Sequence, residues 1–96
     1  MTKREKRLPT KDLDYYLKLR YTIILISEED GWGALALELP GCVGGGDTIE
    51  EALRMLDDAK QLWLTYSFEE GCEIPEPLAD PHALVNQWRP LHLKRG

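Results

Sequence analysis

Ninety-six residues with 43% hydrophobic and 30% charged side chains describe one globular domain, with a core large enough to fold alone but little to spare. The composition excludes a collagen-like or disordered chain; no apolar run approaches the roughly eighteen residues of a membrane span and no apolar h-region follows the basic N-terminus, so a cytoplasmic location is expected. The net charge of −5 is segregated into +4 over residues 1–26, −12 over 27–80 and +3 over the last sixteen, a body that repels nucleic acid and attracts a basic protein.

Residues 1–9 read as a basic N-terminal arm, 10–78 as one domain and 79–96 as a C-terminal tail. Thr10 is a suitable N-cap for a short helix over 11–19, where Leu13, Tyr16 and Leu17 fall at i, i+3 and i+4. Residues 21–27 (YTIILIS) and 32–39 (WGALALEL) predict two strands, and Asp30-Gly31 between them signals a hairpin. In the first strand Tyr21, Ile23 and Leu25 alternate with Ile24 and Ile26, so both faces are apolar and something must cover each. In the second, Leu35, Leu37 and Leu39 alternate with Ala34, Ala36 and Glu38, and the leucine side is expected to face the core.

The next stretch, Leu39-Pro40-Gly41-Cys42-Val43-Gly44-Gly45-Gly46-Asp47-Thr48, joins strand to helix. Its four glycines predict a sharp reversal with positive φ, and 42–44 a brief third strand. Thr48 with Glu51 three residues on forms a capping box. Gly41 and Gly46 match the G-x-x-x-x-G phosphate-loop spacing, but Asp47 stands where the lysine belongs, and Glu50 and Glu51 occupy the positive helix end. A structural turn with a well-capped helix is expected there rather than a nucleotide site.

From Ile49, residues Ala52, Leu53, Leu56, Ala59, Trp63 and Tyr66 keep the helical period, with Glu50, Arg54, Asp57, Asp58 and Gln61 opposite. Asp57 and Asp58 diverge by about 100° around such a helix and make no catalytic pair. Gly71 is a C-terminal stop, and 72–74 can add one more strand before Pro75-Glu76-Pro77. The tail, with Leu84, Val85, Trp88, Leu91 and Leu93, is expected to dock on its own domain or on another subunit. Cys42 and Cys72 are expected as buried or half-buried thiols, and His82 and His92 lack zinc-site spacing, so no metal or cofactor is expected.

The ordered set Tyr16-Leu17, Tyr21-Thr22, Leu39-Pro40-Gly41-Cys42, Gly46-Asp47-Thr48, Glu51-Ala52 and Ile74-Pro75-Glu76-Pro77 resembles the HicB antitoxin family of bacterial and archaeal toxin-antitoxin systems, over roughly residues 12–78. The elements read above compose an α+β domain, a three- to four-stranded mainly antiparallel sheet on one long helix with a short N-terminal helix. The resemblance implies that their β-β-β-α-β order is a partial ribonuclease H-like fold. It also implies a non-catalytic antitoxin that covers the active site of a small basic HicA-type toxin, an mRNA interferase, and that forms a homodimer or larger homo-oligomer.

Members of that family often carry a C-terminal DNA-binding module. Only sixteen residues follow Asp80, and Pro81 and Pro90 break them, so promoter binding is not expected. The alternative reading is an orphan relative that associates with itself. Nuclease chemistry needs several carboxylates converging on the sheet; the first strand has none and Glu38 is alone in the second, so no catalytic residue is assigned. Trp32 and Glu38 are the candidate partner contacts, while Pro40, Gly41, Gly46, Asp47, Thr48 and Glu51 are expected to be structural.

Overall fold

Asp12 opens the first helix in the computed structural model, which describes residues 11–83. Its carboxylate accepts from the Tyr15 N–H at 3.0 Å and caps α1 (Leu13–Leu17), a shorter helix than the 11–19 expected. Thr10, the basic arm and the apolar tail with Trp88 lie outside the described residues. Then follow β1 (Ile23–Glu28), β2 (Gly31–Ala36), β3 (Val43–Gly46) and α2 (Ile49–Glu69). The strands form one antiparallel sheet in the order β1-β2-β3.

The hairpin register pairs Glu28 with Gly31, so the turn residues are Glu29 and Asp30 and the Asp-Gly step sits one place later than its usual turn centre. Gly31 is needed by the sheet instead, since a side chain there would strike the Gly46 carbonyl. After β2 the chain makes a tight reversal: the Cys42 N–H donates to the Leu39 carbonyl at 3.0 Å around Pro40 and Gly41, whose φ is +81°. Proline second and a positive-φ residue third define a type II turn, which explains Leu39-Pro40-Gly41-Cys42 from backbone geometry alone. Trp63 Nε1 donates to the Pro40 carbonyl at 2.9 Å and ties this turn to α2.

The remaining glycines correct the expected reversal. Gly44, Gly45 and Gly46 are extended residues of β3, and of the glycines from 41 to 46 only Gly41 has positive φ. Their small size serves contact rather than turning. A Cβ on Gly44 would lie 2.5 Å from the Leu56 backbone nitrogen, and one on Gly46 would lie 2.7 Å from the Glu51 Cβ.

That close approach also overturns the expected core face of β2. The residues turned toward α2 are Ala34 and Ala36, 3% and 2% exposed, while Leu35 lies on the opposite side and is half-buried. A helix seated on bare backbone at Gly44 leaves room beside it for methyl groups and none for leucines. Leu39 reaches the core at 1% exposed because β2 ends at Ala36 and the turn redirects the chain.

At the start of α2, Thr48 Oγ1 accepts from the Glu51 N–H at 3.1 Å, while the Glu51 carboxylate accepts from the Asp47 N–H at 2.8 Å, one residue earlier than a standard capping box places it. Thr48→Ala is expected to cost about 1 kcal/mol, read as a lower urea midpoint at unchanged slope. The helix ends in a Schellman arrangement, with Cys72 N–H on the Ser67 carbonyl, Gly71 N–H on Phe68 and Gly71 at φ +74°. Residues 72–74 form no fourth strand. Ile74 is instead buried by its side chain, at 6% exposed, and the Tyr21 hydroxyl donates to the Pro75 carbonyl at 2.7 Å. Cys42 is buried, whereas Cys72 is exposed rather than half-buried.

Candidate partner-binding surface

The placement of α2 decides what the sheet leaves bare. It lies over β3 and β2, and α1 packs in turn on α2 with the Tyr16 and Phe68 rings 6.4 Å apart, so both helices occupy the Ala34 side. β1 is left as an overhang. On the helix side Ile23 and Leu25 remain 48% and 40% exposed, beside a groove of about 170 Å³ lined by Tyr21, Ile23, Ala36, Leu53, Leu56, Asp57 and Lys60.

On the far side the register aligns Ile24 with Leu35 and Leu35 with Val43, and Ile26 with Gly33. Ile26 is 42% and Val43 58% exposed, and no helix among the described elements covers this face. The acidic hairpin Glu28-Glu29-Asp30 stands at one end, all three residues exposed. An apolar strip with carboxylates at one end is suited to a partner that carries apolar and basic groups together.

Trp32 and Glu38 are not brought together on that strip. Trp32 shares the helix side with Ala34, two residues on along the same strand, and it is half-buried against the core. The Glu38 carboxylate is engaged within the chain, accepting from the Thr22 N–H at 2.8 Å, Thr22 Oγ1 at 2.7 Å and the Leu78 N–H at 2.9 Å. Glu38 thereby clasps the segment after Ile74 to the approach of β1. Glu76 makes a second clasp, accepting from Lys11 Nζ at 3.2 Å and from the Tyr15 hydroxyl. These tethers account for Ile74-Pro75-Glu76-Pro77 as a strap over α1 and β1.

Burial pushes the Glu38 carboxyl up, but the hydrogen bonds from Leu78 and Thr22 outweigh it and hold the group below its ordinary 4.5. A lowered folded value means that this contribution is complete above the unfolded value and is lost as pH falls through the folded one. Glu38→Gln is therefore expected to cost about 2 kcal/mol at pH 7 and to flatten the acid limb of stability below about pH 4.5, measured by urea unfolding from pH 3 to 7. Burial likewise lifts the Tyr21 phenol, which stays a neutral donor to Pro75, and the Cys42 thiol, which stays protonated and unreactive.

Among the described residues no three His, Cys, Asp or Glu side chains gather closely enough to hold a metal ion, and no helix is long and apolar enough to cross a membrane. What the geometry offers is surface. Sequence reasoning found the doubly apolar first strand but missed Leu35 and Val43, because their exposure follows from where the helix sits.

Comparison with known proteins points the same way. Residues 21–87 match the family described as HicB-like antitoxin of bacterial toxin-antitoxin system. The chain is similar to Antitoxin HicB 2 of Photorhabdus laumondii subsp. laumondii, with 37% identity over 67 residues, 70% of this chain and 48% of that protein. It thus spans about half the length of this curated relative. No solved structure matches significantly.

Proposed function

This chain belongs to the HicB-like antitoxin family of bacterial toxin-antitoxin systems, and from that premise we propose that it neutralises a small basic toxin of the HicA type, an mRNA interferase, by covering the toxin's active site. The observation that supports this reading is the sheet face of Ile24, Ile26, Leu35 and Val43, which no described helix covers and on which Ile26 and Val43 are exposed, beside the acidic hairpin. The mechanism is steric and asks no chemistry of this chain.

Residues 27–80 hold fourteen acids against Arg54 and Lys60, a net of −12. Such a field accelerates encounter with a cationic protein and orients it before contact, while burial of the apolar strip holds the complex once formed. Trp32 keeps a partly exposed ring beside the hairpin and is proposed as a contact at its margin; Glu38 is assigned to the intrachain clasp.

Co-expression with the small open reading frame beside the gene tests this reading. Relief of toxicity and a co-purifying complex are expected. Ile26→Asp with Val43→Asp should weaken the complex at least about tenfold, since each introduces a carboxylate that must be desolvated, while leaving the urea midpoint nearly unchanged. Absence of both rescue and complex overturns the proposal.

A further inference from the structure

The groove between β1 and α2 has a direction. Gly44 meets Leu56 and Gly46 meets Glu51, so α2 runs back against β3, and β3 is parallel to β1 because both are antiparallel to β2. The groove therefore runs from Tyr21 and Lys60 toward Leu53 and the exposed Leu25, and past that end stands the acidic hairpin Glu28-Glu29-Asp30. Its charged lining residues, Asp57 and Lys60, pair with each other at 3.8 Å, and the Tyr21 hydroxyl is taken by Pro75, which leaves an apolar trough. A volume of about 170 Å³ falls short of the roughly 300 Å³ of small-molecule sites and suits one or two large side chains of a polypeptide.

The chain arrives at the Tyr21 end. The Leu78 N–H shares the Glu38 carboxylate with Thr22, the residue between Tyr21 and Ile23. Residues 81–83 then begin a helical turn, with the Ala83 N–H on the Asp80 carbonyl at 3.1 Å. The sequence beyond continues through Leu84, Val85, Trp88, Leu91 and Leu93 to Lys94 and Arg95, with no acid after Asp80. Apolar first and basic last is the order in which the groove, followed from Tyr21, presents apolar walls and then three carboxylates.

We propose that residues 84–95 of this chain lie along the groove parallel to β1, with Trp88 against Ile23 and Leu25 and with Lys94 and Arg95 at the acidic hairpin. The reach fits. Ile23 to Glu28 spans about 17 Å of strand, and residues 84 to 94 cover about 15 Å as helix or roughly 33 Å extended.

Tethering selects the occupant. A segment attached beside the groove meets it at an effective concentration in the millimolar range, so at micromolar protein the chain's own tail outcompetes the tail of another copy. The tail then covers Ile23 and Leu25 on the helix side and leaves Ile24, Ile26, Leu35 and Val43 free on the other. This inference goes beyond the toxin-binding reading and does not rest on it, because its test uses this chain alone.

Methyl NMR of the full chain tests it. Nuclear Overhauser contacts are expected from the Trp88 indole to the Ile23 and Leu25 methyl groups, with Leu91 and Leu93 nearer to Leu25 than to Tyr21. Trp88→Ala is expected to move the Ile23 and Leu25 methyl resonances, as the ring current of the indole is lost, and to leave those of Ala34 and Leu64 in place. The wild-type contacts decide by themselves if that variant fails to fold. A sample mixing isotope-labelled and unlabelled chains separates the sources, and contacts within one chain support the proposal. Contacts found only between chains assign the groove to a second copy and overturn it. Contacts from Trp88 to Ile24 and Ile26 instead, the reverse order along β1, or no contact with β1 at all overturn it equally.

Discussion

Gly44→Ala is expected to remove at least about 3 kcal/mol of stability, a large share of the roughly 5–14 kcal/mol available to a domain of this size. The added Cβ would lie 2.5 Å from the Leu56 nitrogen, 2.8 Å from its Cα and 2.9 Å from the Met55 carbonyl carbon. All three are helix backbone, which cannot swing aside as a flexible side chain would. Relief requires α2 to lift from the sheet, withdrawing Ala52 and Leu56, 0% and 2% exposed, from Ala34 and Ala36. Gly45→Ala is the control, because its Cβ would meet only the Trp32 carbonyl oxygen, at 3.3 Å, and it is expected to change stability by less than about 1 kcal/mol. Urea midpoints read the difference. Equal effects at the two positions would show that α2 is not seated on Gly44.

The same contact explains how much of this molecule can be read from its residues. Element types follow from local signals: a period of 3.6 from Ile49, β-branched runs with period 2, Thr48 as a cap, and Pro40-Gly41 as a type II turn. Which face of β2 is buried does not follow, because hydrophobicity ranks leucine above alanine, whereas a helix resting on glycine backbone admits only the smaller side chain. The glycine run reads as a turn for a related reason. Glycine is permissive in both roles, and only the neighbouring helix shows that β3 uses it for proximity.

The candidate surface was half legible. Two apolar faces on β1 announce that each needs a cover, but the lateral position of α2, set by Gly44, determines that Ile23 and Leu25 overhang and that Leu35 and Val43 join Ile24 and Ile26 on the side that no described helix covers. Glu38 shows the converse. An acid on a strand predicts an outward contact, and the strap that turns its carboxylate inward arrives through Leu78, forty residues later.

Leu64→Ala is expected to cost about 3 kcal/mol and to lower the melting temperature by roughly 15 °C, although the residue is absent from the apolar stripe that periodicity picks out. Leu64 is 0% exposed, whereas Ile49 and Tyr66, the two ends of that stripe, are 38% and 65% exposed. The buried arc turns along the helix because its two halves meet different partners. The first half rests on the sheet through Ala52 and Leu56, while toward the end α1 and the Ile74 segment form the other wall and draw in Leu64 and Ser67. Truncating Leu64 leaves a cavity between these layers that neither wall can fill without breaking the Tyr21 to Pro75 bond or lifting α1. Tyr66→Ala and Leu62→Ala remove larger or equal side chains from exposed positions, Leu62 being 73% exposed, and are expected to shift stability by no more than about 0.5 kcal/mol. Calorimetric scans of the three variants order them. A greater loss at Tyr66 or Leu62 than at Leu64 would mean that the helix is rotated about its axis and presents a different arc to α1 and the sheet.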